Sequence, residues 1–269
     1  MIMPAPFYPG AKDSKIKEKK AIMNRKEFIE ALTKLGQERY HSLHPFHKLL
    51  HSGKLSFKQI QAWALNRFYY QWSIPRKDLT LMARINDVNL RLEWRSRVID
   101  HEGDIDGSGG ISRYLQLCEK LQLNLDYVKS CQGLLPATRF AVDAYVNFVE
   151  EKSLLEAIAS SLTEIYAPAI HKERIEGLSK HYDWADDYAL AYFKKRIGQA
   201  RKDVEFGKEW VIRNAITRDD QEAVLNAVKF KTEVLWAQLD ALYYAYVDPG
   251  FIPPGAFIPH GFEEKKWSK

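Results

Sequence analysis

The chain has 269 residues, 46% of them hydrophobic and 28% charged, a composition that supports a sizeable buried core and excludes a disordered or low-complexity protein. Its net charge of +5 resides in residues 11–26, where seven basic residues face two acids; the rest balances at 33 of each sign, so composition does not ask for a nucleic-acid surface. Two cysteines without a CxxC, an opening MIMPAPFYPGAKDSKIKEKK with no apolar leader and no apolar run of membrane-spanning length predict a cytoplasmic protein with neither membrane nor nucleic acid as partner.

A basic extension, 1–23, comes first and is expected to be solvated. Asn24 and Glu27 stand in capping-box spacing, and Phe28, Ile29, Leu32 and Leu35 follow on one helical face that is expected to end near Gly36. The next stretch, YHSLHPFHKLLH, holds four of the eight histidines: His41, His44, His47 and His51. His47 and His51 are i, i+4 neighbours able to chelate, but no third ligand can be assigned. His44, His47 and His51 are therefore expected in structural or surface roles, and no metal site is predicted. Ser56 and Gln59 cap a helix over FKQIQAWALNRFYYQWS, which Pro75 is expected to close because the residue before a proline is pushed out of the α region. Further helices are expected over 87–102, 110–122, 136–151, 153–176, 185–213 and 218–247, the last capped by Thr217 and Asp220. The loop GDIDGSGG, 103–110, follows His101 directly and has the make-up of a gate. A Pro/Gly-rich tail, 248–269, is expected to be extended or disordered. With no period-2 run bounded by turn residues, the fold class is all-α: a compact helical bundle in one domain, 24–247.

Long polar side chains recur where helical spacing predicts core. Ile60, Trp63 and Ala64 continue into Arg67 and Gln71; Leu90, Trp94 and Val98 run on into Arg97 and His101; Lys231 interrupts the stripe Val224, Val228, Leu235, Leu242. Ser160, Thr163, Glu164, Ala167 and His171 share a face. Pro168, having no N–H, leaves the carbonyl of Glu164 without its donor, so a kink is expected beside that stripe. Tyr188, Tyr192, Arg196, Gln199 and Asp203 follow one another at i+3 and i+4. Taken singly, an Arg or Gln at a stripe's end reaches solvent, and a tyrosine such as Tyr145 or Tyr192 packs with its hydroxyl satisfied. Taken together, on separate helices, they describe facing helices that project polar groups inward. The inward set is mostly basic or neutral: Arg67, Lys77, Arg97, His101, His171, Arg196 and Lys231 against Glu164. Such a set wants an anion, a polycarboxylate paired with guanidinium forks.

The stretches YHSLHPFH, NRFYYQWSIPRKD, IDHEGD, RFAVDAY, SSLTEIYAPAIH, AYFKKRIGQARKD and KFKTEVLW resemble, in order and spacing over 24–246, the pyrroloquinoline-quinone synthase family. The resemblance implies a haem-oxygenase-like bundle, a homodimer and a cofactor-free oxidase of the last step of pyrroloquinoline quinone (PQQ) biosynthesis. That step closes the last ring of a bicyclic tricarboxylic precursor and removes eight electrons with O2, giving PQQ and H2O2. It implies further that Tyr40, His41, Arg67, Gln71, Lys77, His101, Tyr145, Thr163, Glu164 and Lys231 hold the substrate, while His171, Tyr192 and Arg196 handle oxygen. His101 and His171 are the candidates for moving protons, and spacing does not decide which is the base. Two rival readings are open. One is a di-iron oxygenase of the same fold, of the type resembling the chlamydial p-aminobenzoate-forming protein; the other is a non-catalytic binder of PQQ or another metabolite, with the lysine-rich extension as an interaction arm. Against the first, the helix that would supply histidine and aspartate ligands reads Tyr192, Arg196 and Gln199, and Glu164, His101 and His171 are too few for two hard metals.

Overall fold

The computed structural model describes residues 21–105 and 107–263, with the side chains of 199–204 excepted. The expectations for the extension over 1–20, for Gln199 and Asp203 and for 264–269 lie outside these. Among the described residues all regular structure is helical. Three helices start where their capping boxes predict: α1 (Arg25–Arg39) on Asn24 and Glu27, α3 (Phe57–Ala83) on Ser56 and Gln59, and α11 (Arg218–Tyr246) on Thr217 and Asp220. Between the first two lies α2 (Pro45–His51), capped by His44.

α1 runs past Gly36 to Arg39, because this glycine serves close packing and not a left-handed cap. A Cβ there would collide with the ring of Tyr166, whose hydroxyl donates to the Leu32 carbonyl. Pro75 does not close α3 as expected: the helix passes through it with Ile74, Pro75, Lys77, Asp78 and Leu81 all buried. An interior proline costs about 3 kcal/mol, whereas burying Ile74 and Leu81 is worth about 1.5–3 kcal/mol each. Leu81 joins Trp94 of α4 (Val88–Glu102) and Val149 of α7 (Pro136–Glu151) in one core, so tertiary burial wins.

The kink expected at Pro168 is a full break. The segment foreseen as one helix over 153–176 divides into α8 (Leu154–Ala159), a 3₁₀ stretch (Ser160–Tyr166) and α9 (Ala167–His181), with the proline in the first turn of α9. α10 (Ala191–Asn214) begins later than 185, because Asp186 Oδ1 accepts from the Ala189 N–H at 3.0 Å in a preceding turn. α5 (Gly110–Lys120) follows the glycine-rich loop, and a short α6 (Leu125–Lys129) that the sequence reading left out starts on Asn124.

α11 packs on α1, α7 and α8, α3 on α4, α5 and α7, and α9 on α10. The apolar interior they enclose is divided. One core gathers Trp63, Phe68, Tyr114, Phe193 and Leu239, and another Phe28, Leu81, Trp94, Ile158 and Val224. Tyr70 touches both, and a small cluster of Tyr40, Ile170 and Leu235 lies against it. The division falls where polar side chains interrupt the apolar stripes. The tail over 248–263 has no helix and lies on the first core: Ile252 and Ala256 are buried, and the Phe257 N–H donates to the Gly133 carbonyl at 2.8 Å. Among the described residues no helix is long and apolar enough to cross a membrane.

Candidate active site

At the junction of the cores lies a cavity lined mostly by polar side chains. Its wall carries nine of the thirteen residues the sequence pointed to: Tyr40, His41, Arg67, His101, Thr163, Glu164, His171, Tyr192 and Arg196. Tyr40 and His41 come from the turn between α1 and α2, Arg67 from α3, His101 from the last turn of α4, and Thr163 and Glu164 from the 3₁₀ stretch. His171 comes from α9, and Tyr192 and Arg196 from α10. The other four stand one layer behind. Gln71 accepts from the Tyr192 hydroxyl at 2.5 Å. Lys231 Nζ lies 3.3 Å from the ring centroid of Tyr145 and 4.2 Å from that of Tyr70, a wall residue, while Lys77 Nζ is 5.7 Å from Tyr145.

Positive charge exceeds negative here. Glu164 is the one acid on the wall; Arg97 donates to it at 2.8 Å and Arg196 Nη2 is 3.6 Å away. Burial pushes the Glu164 carboxyl up, but Arg97 and Arg196 prevail and hold its pKa at about 2. Lys231 is buried with no hydrogen-bond partner for Nζ. Burial first, then Lys77 and Arg67, push its pKa well below the usual lysine value. Arg174, a wall residue with no exposed surface, donates to His47 Nε2 at 3.0 Å and leaves Nε and Nη1 without partners. Burial and the neighbouring Arg67 bring its pKa down to about 9. Buried cations of this kind are costly until an anion meets them.

Arg174, Tyr70 and Asp78 have no role among the sequence expectations, although Tyr70 and Asp78 lie within NRFYYQWSIPRKD. Arg174 is three residues past His171 on the same face of α9, and Tyr70 is three past Arg67 on α3, so extending either stripe by one step reaches them. The expectation that Pro75 ends its helix takes Asp78 off any helical face. Fully buried, Asp78 accepts from the Lys77 ammonium and from Trp94 Nε1–H at 2.9 Å, with Arg97 Nε 4.0 Å away. Burial works against the Lys77 charge, but Asp78 outweighs it and raises the lysine pKa. Asp78→Ala is expected to strand that ammonium and to cost about 3–5 kcal/mol of stability. Chemical denaturation checks this, and a loss below about 1 kcal/mol would contradict it.

The histidines are held neutral. His101 Nδ1 donates to the Arg97 carbonyl at 3.0 Å, which makes Nε2 the lone-pair nitrogen, and this atom has no partner. Burial, and then Arg196, bring the His101 pKa to about 4. Burial is also the first cause of the lowered values of His41, His47, His51 and His171. Below the ordinary pKa of 6.5 the unfolded chain takes up protons that these folded rings refuse, so stability falls as pH falls towards about 4. The slope is up to about 1.4 kcal/mol per group per pH unit. Thermal melts are expected to be level near neutrality and to drop steeply below about pH 6; a level profile down to about pH 4.5 would contradict the assignment.

Of the four clustered histidines, His44 caps α2: its Nδ1 accepts from the Phe46 N–H at 3.0 Å and its Nε2 donates to Asp240 at 2.9 Å. All four are buried, so the surface alternative for His44, His47 and His51 falls, because each ring is packed under α9 or α11. Among the described residues no three His, Cys, Asp or Glu side chains come together as a metal-ligand set.

The helical bundle has the haem-oxygenase-like fold. A solved domain with that fold from Shewanella denitrificans aligns with 88% of this chain and 99% of its own at a TM-score of 0.68, and at 13% identity the likeness concerns fold alone. The chain belongs to the TENA/THI-4/PQQC family, whose model matches residues 29–241. It is 56% identical to a pyrroloquinoline-quinone synthase of Rhodopseudomonas palustris strain TIE-1, over 90% of this chain and 94% of that protein. The protein of the same name from Granulibacter bethesdensis is 55% identical, over 90% of this chain and 95% of its own.

Proposed function

We propose that the chain is a pyrroloquinoline-quinone synthase. It closes the last ring of a bicyclic tricarboxylic precursor and removes eight electrons with O2, giving PQQ and H2O2, without a metal or redox cofactor. The observation that carries this reading is the charge of the cavity. Arg67, Arg174 and Arg196 line it and Lys231 stands behind, against Glu164 alone on the wall. Three carboxylates on one ligand supply the missing counter-charge, with guanidinium forks as their partners. The name carried by relatives at 55–56% identity supports the same reading.

The chemistry follows from the residues. Dioxygen accepts electrons singly, and an electron-rich carbanion or quinol can supply them, so the substrate serves as its own redox cofactor. Neutral His101, with its Nε2 lone pair free, takes a proton from the bound substrate. Arg196, with Tyr192 and His171 beside it, stabilises the superoxide and peroxide that form, because its charge is in place before they appear. The reading includes a homodimer, for which the apolar residues exposed on the packed pair α3 and α4 (Trp72, Leu79, Leu92 and Ile99) offer a surface; light scattering at working concentration distinguishes it from a monomer. It also includes a cytoplasmic location, with which the free thiols of Cys118 and Cys131 agree.

Aerobic incubation with the tricarboxylic precursor tests the reaction: the quinone absorbance should rise with O2 consumed and H2O2 formed. Tight PQQ binding without O2 uptake would make the protein a binder. Stoichiometric iron in protein purified without added iron, with activity that depends on it, would make it a di-iron oxygenase.

A further inference from the structure

Three of the clustered histidines run from the cavity to the protein surface. His41 is on the cavity wall, its ring centroid 4.7 Å from that of His47, which in turn is 5.2 Å from that of His51 one turn along α2. His51 Nδ1 lies 3.2 Å from Glu173 Oε1, and the Glu173 side chain is 56% exposed. All three rings are buried, and the chemistry above uses none beyond His41.

Their hydrogen bonds fix where the protons sit. Arg174 can only donate, so His47 Nε2 accepts and the His47 proton is on Nδ1, an atom with no partner. Glu173 accepts, so the His51 proton is on Nδ1 and the lone pair is on Nε2, which also has no partner. The neighbouring stacked rings therefore hold an orphan donor and an orphan acceptor, and because N–H and lone pair lie in the ring planes the two meet when one ring swings out of the stack. Both nitrogens of His41 are without partners as well. Buried polar atoms left this way cost about 1–3 kcal/mol each, a poor arrangement for rings whose only task is packing. Burial first, and then the groups facing the row, keep it neutral: Arg67, Arg174, His171 and Lys231 face His41, Arg174 and Arg67 face His47, and Arg174 faces His51 opposite Glu173. A neutral row passes a proton on and does not trap it.

We propose that His41, His47 and His51 form a proton conduit from the cavity to Glu173, a role that rests on the oxidase reading above. Deprotonation of the substrate precedes the peroxide that could take the proton, and a wall carrying Arg67, Arg174 and Arg196 repels a held proton, so the proton needs an exit. His101 takes one substrate proton; a second, taken up and passed on by His41, enters His47 at Nε2 as Arg174 lets go. The Nδ1 proton of His47 moves to Nε2 of His51, and the Nδ1 proton of His51 moves to the Glu173 carboxylate and then to water. One proton enters, one leaves, no electron moves, and each ring ends neutral as its other tautomer, returning by rotation or exchange.

Two measurements test the conduit. In protein without substrate, ¹⁵N spectra of the histidine rings should show His47 and His51 as neutral Nδ1–H tautomers near neutral pH. An imidazolium or an Nε2–H form at either ring would overturn the proposal whether or not the protein turns over. In single turnovers followed with a pH-indicator dye, Glu173→Gln and His51→Ala should each slow proton release by about tenfold or more while PQQ affinity stays within about twofold, and added imidazole should restore His51→Ala. Glu173→Gln changes an exposed side chain, which separates the effect from misfolding. Proton release at the wild-type rate in both variants, or loss that imidazole does not restore and that comes with weakened PQQ binding, would overturn the conduit. A wild-type protein that does not turn over at all would sink the oxidase reading instead.

Discussion

Arg196→Ala is expected to lower turnover by about 10²–10³-fold while PQQ still binds within about threefold of the wild-type affinity. The asymmetry comes from what remains. Arg67 and Arg174 stay on the cavity wall to hold carboxylates, and Glu164 keeps its 2.8 Å bond from Arg97. What disappears is a guanidinium that is 6% exposed on α10, beside Tyr192 and His171, where the proposed reaction would place the charge of reduced oxygen. Groups that meet charge only as the reaction proceeds contribute to rate and not to ground-state affinity. Anaerobic PQQ titration and O2 uptake measure the two quantities separately, and a reduced, coloured intermediate should accumulate after mixing with precursor. Equal losses in binding and turnover would make Arg196 a carboxylate ligand instead.

Lys231→Met should act with opposite signs on stability and binding. Without ligand the lysine is 1% exposed, rests on the rings of Tyr145 and Tyr70, and has no hydrogen-bond partner. A buried amine without a hydrogen-bond partner is costlier than an apolar side chain of similar volume, so the ligand-free variant should unfold at equal or higher denaturant. Loss of one charged hydrogen bond to a carboxylate costs about 1.5–3 kcal/mol, which weakens PQQ by a factor of about 10–150. The lowered lysine pKa adds a sign for pH. An arriving carboxylate favours the ammonium, so binding takes up a proton and weakens as pH rises in the wild type, and this dependence should shrink in the variant. A ligand-free variant that melts earlier than the wild type would show that the lysine stabilises the empty fold.

Local chemistry was legible in the sequence and tertiary chemistry was not. Asn24, Ser56 and Thr217 bond to backbone three residues away, so their capping boxes can be read without knowing the fold. Gly36 and Pro75 look like helix ends by the same local rules, but the ring of Tyr166 and the packing of Leu81 on Trp94 and Val149 decide otherwise, and those partners lie in other elements of the chain. Arg67, His101, Glu164, His171 and Arg196 stood out because a long polar side chain on an apolar face needs an inward partner. Tyr40 and His41 sit in a turn, where no periodicity can mark them, and only the family resemblance reaches them. Asp78 was hidden by a single misplaced helix end. The order of His47, Arg174 and Glu173 became visible only when α9 was laid beside α2.

The divided interior bears on the lifetime of the protein. Its two apolar cores meet across a chamber of mutually repelling cations, so the least cohesive seam of the fold coincides with the place where the ligand belongs. A polyanion in that seam acts as mortar, and its contribution grows with the logarithm of its concentration. Cells supplying the precursor would thus shield the protein from proteolysis, and cells that stop making it would clear an enzyme with nothing left to do.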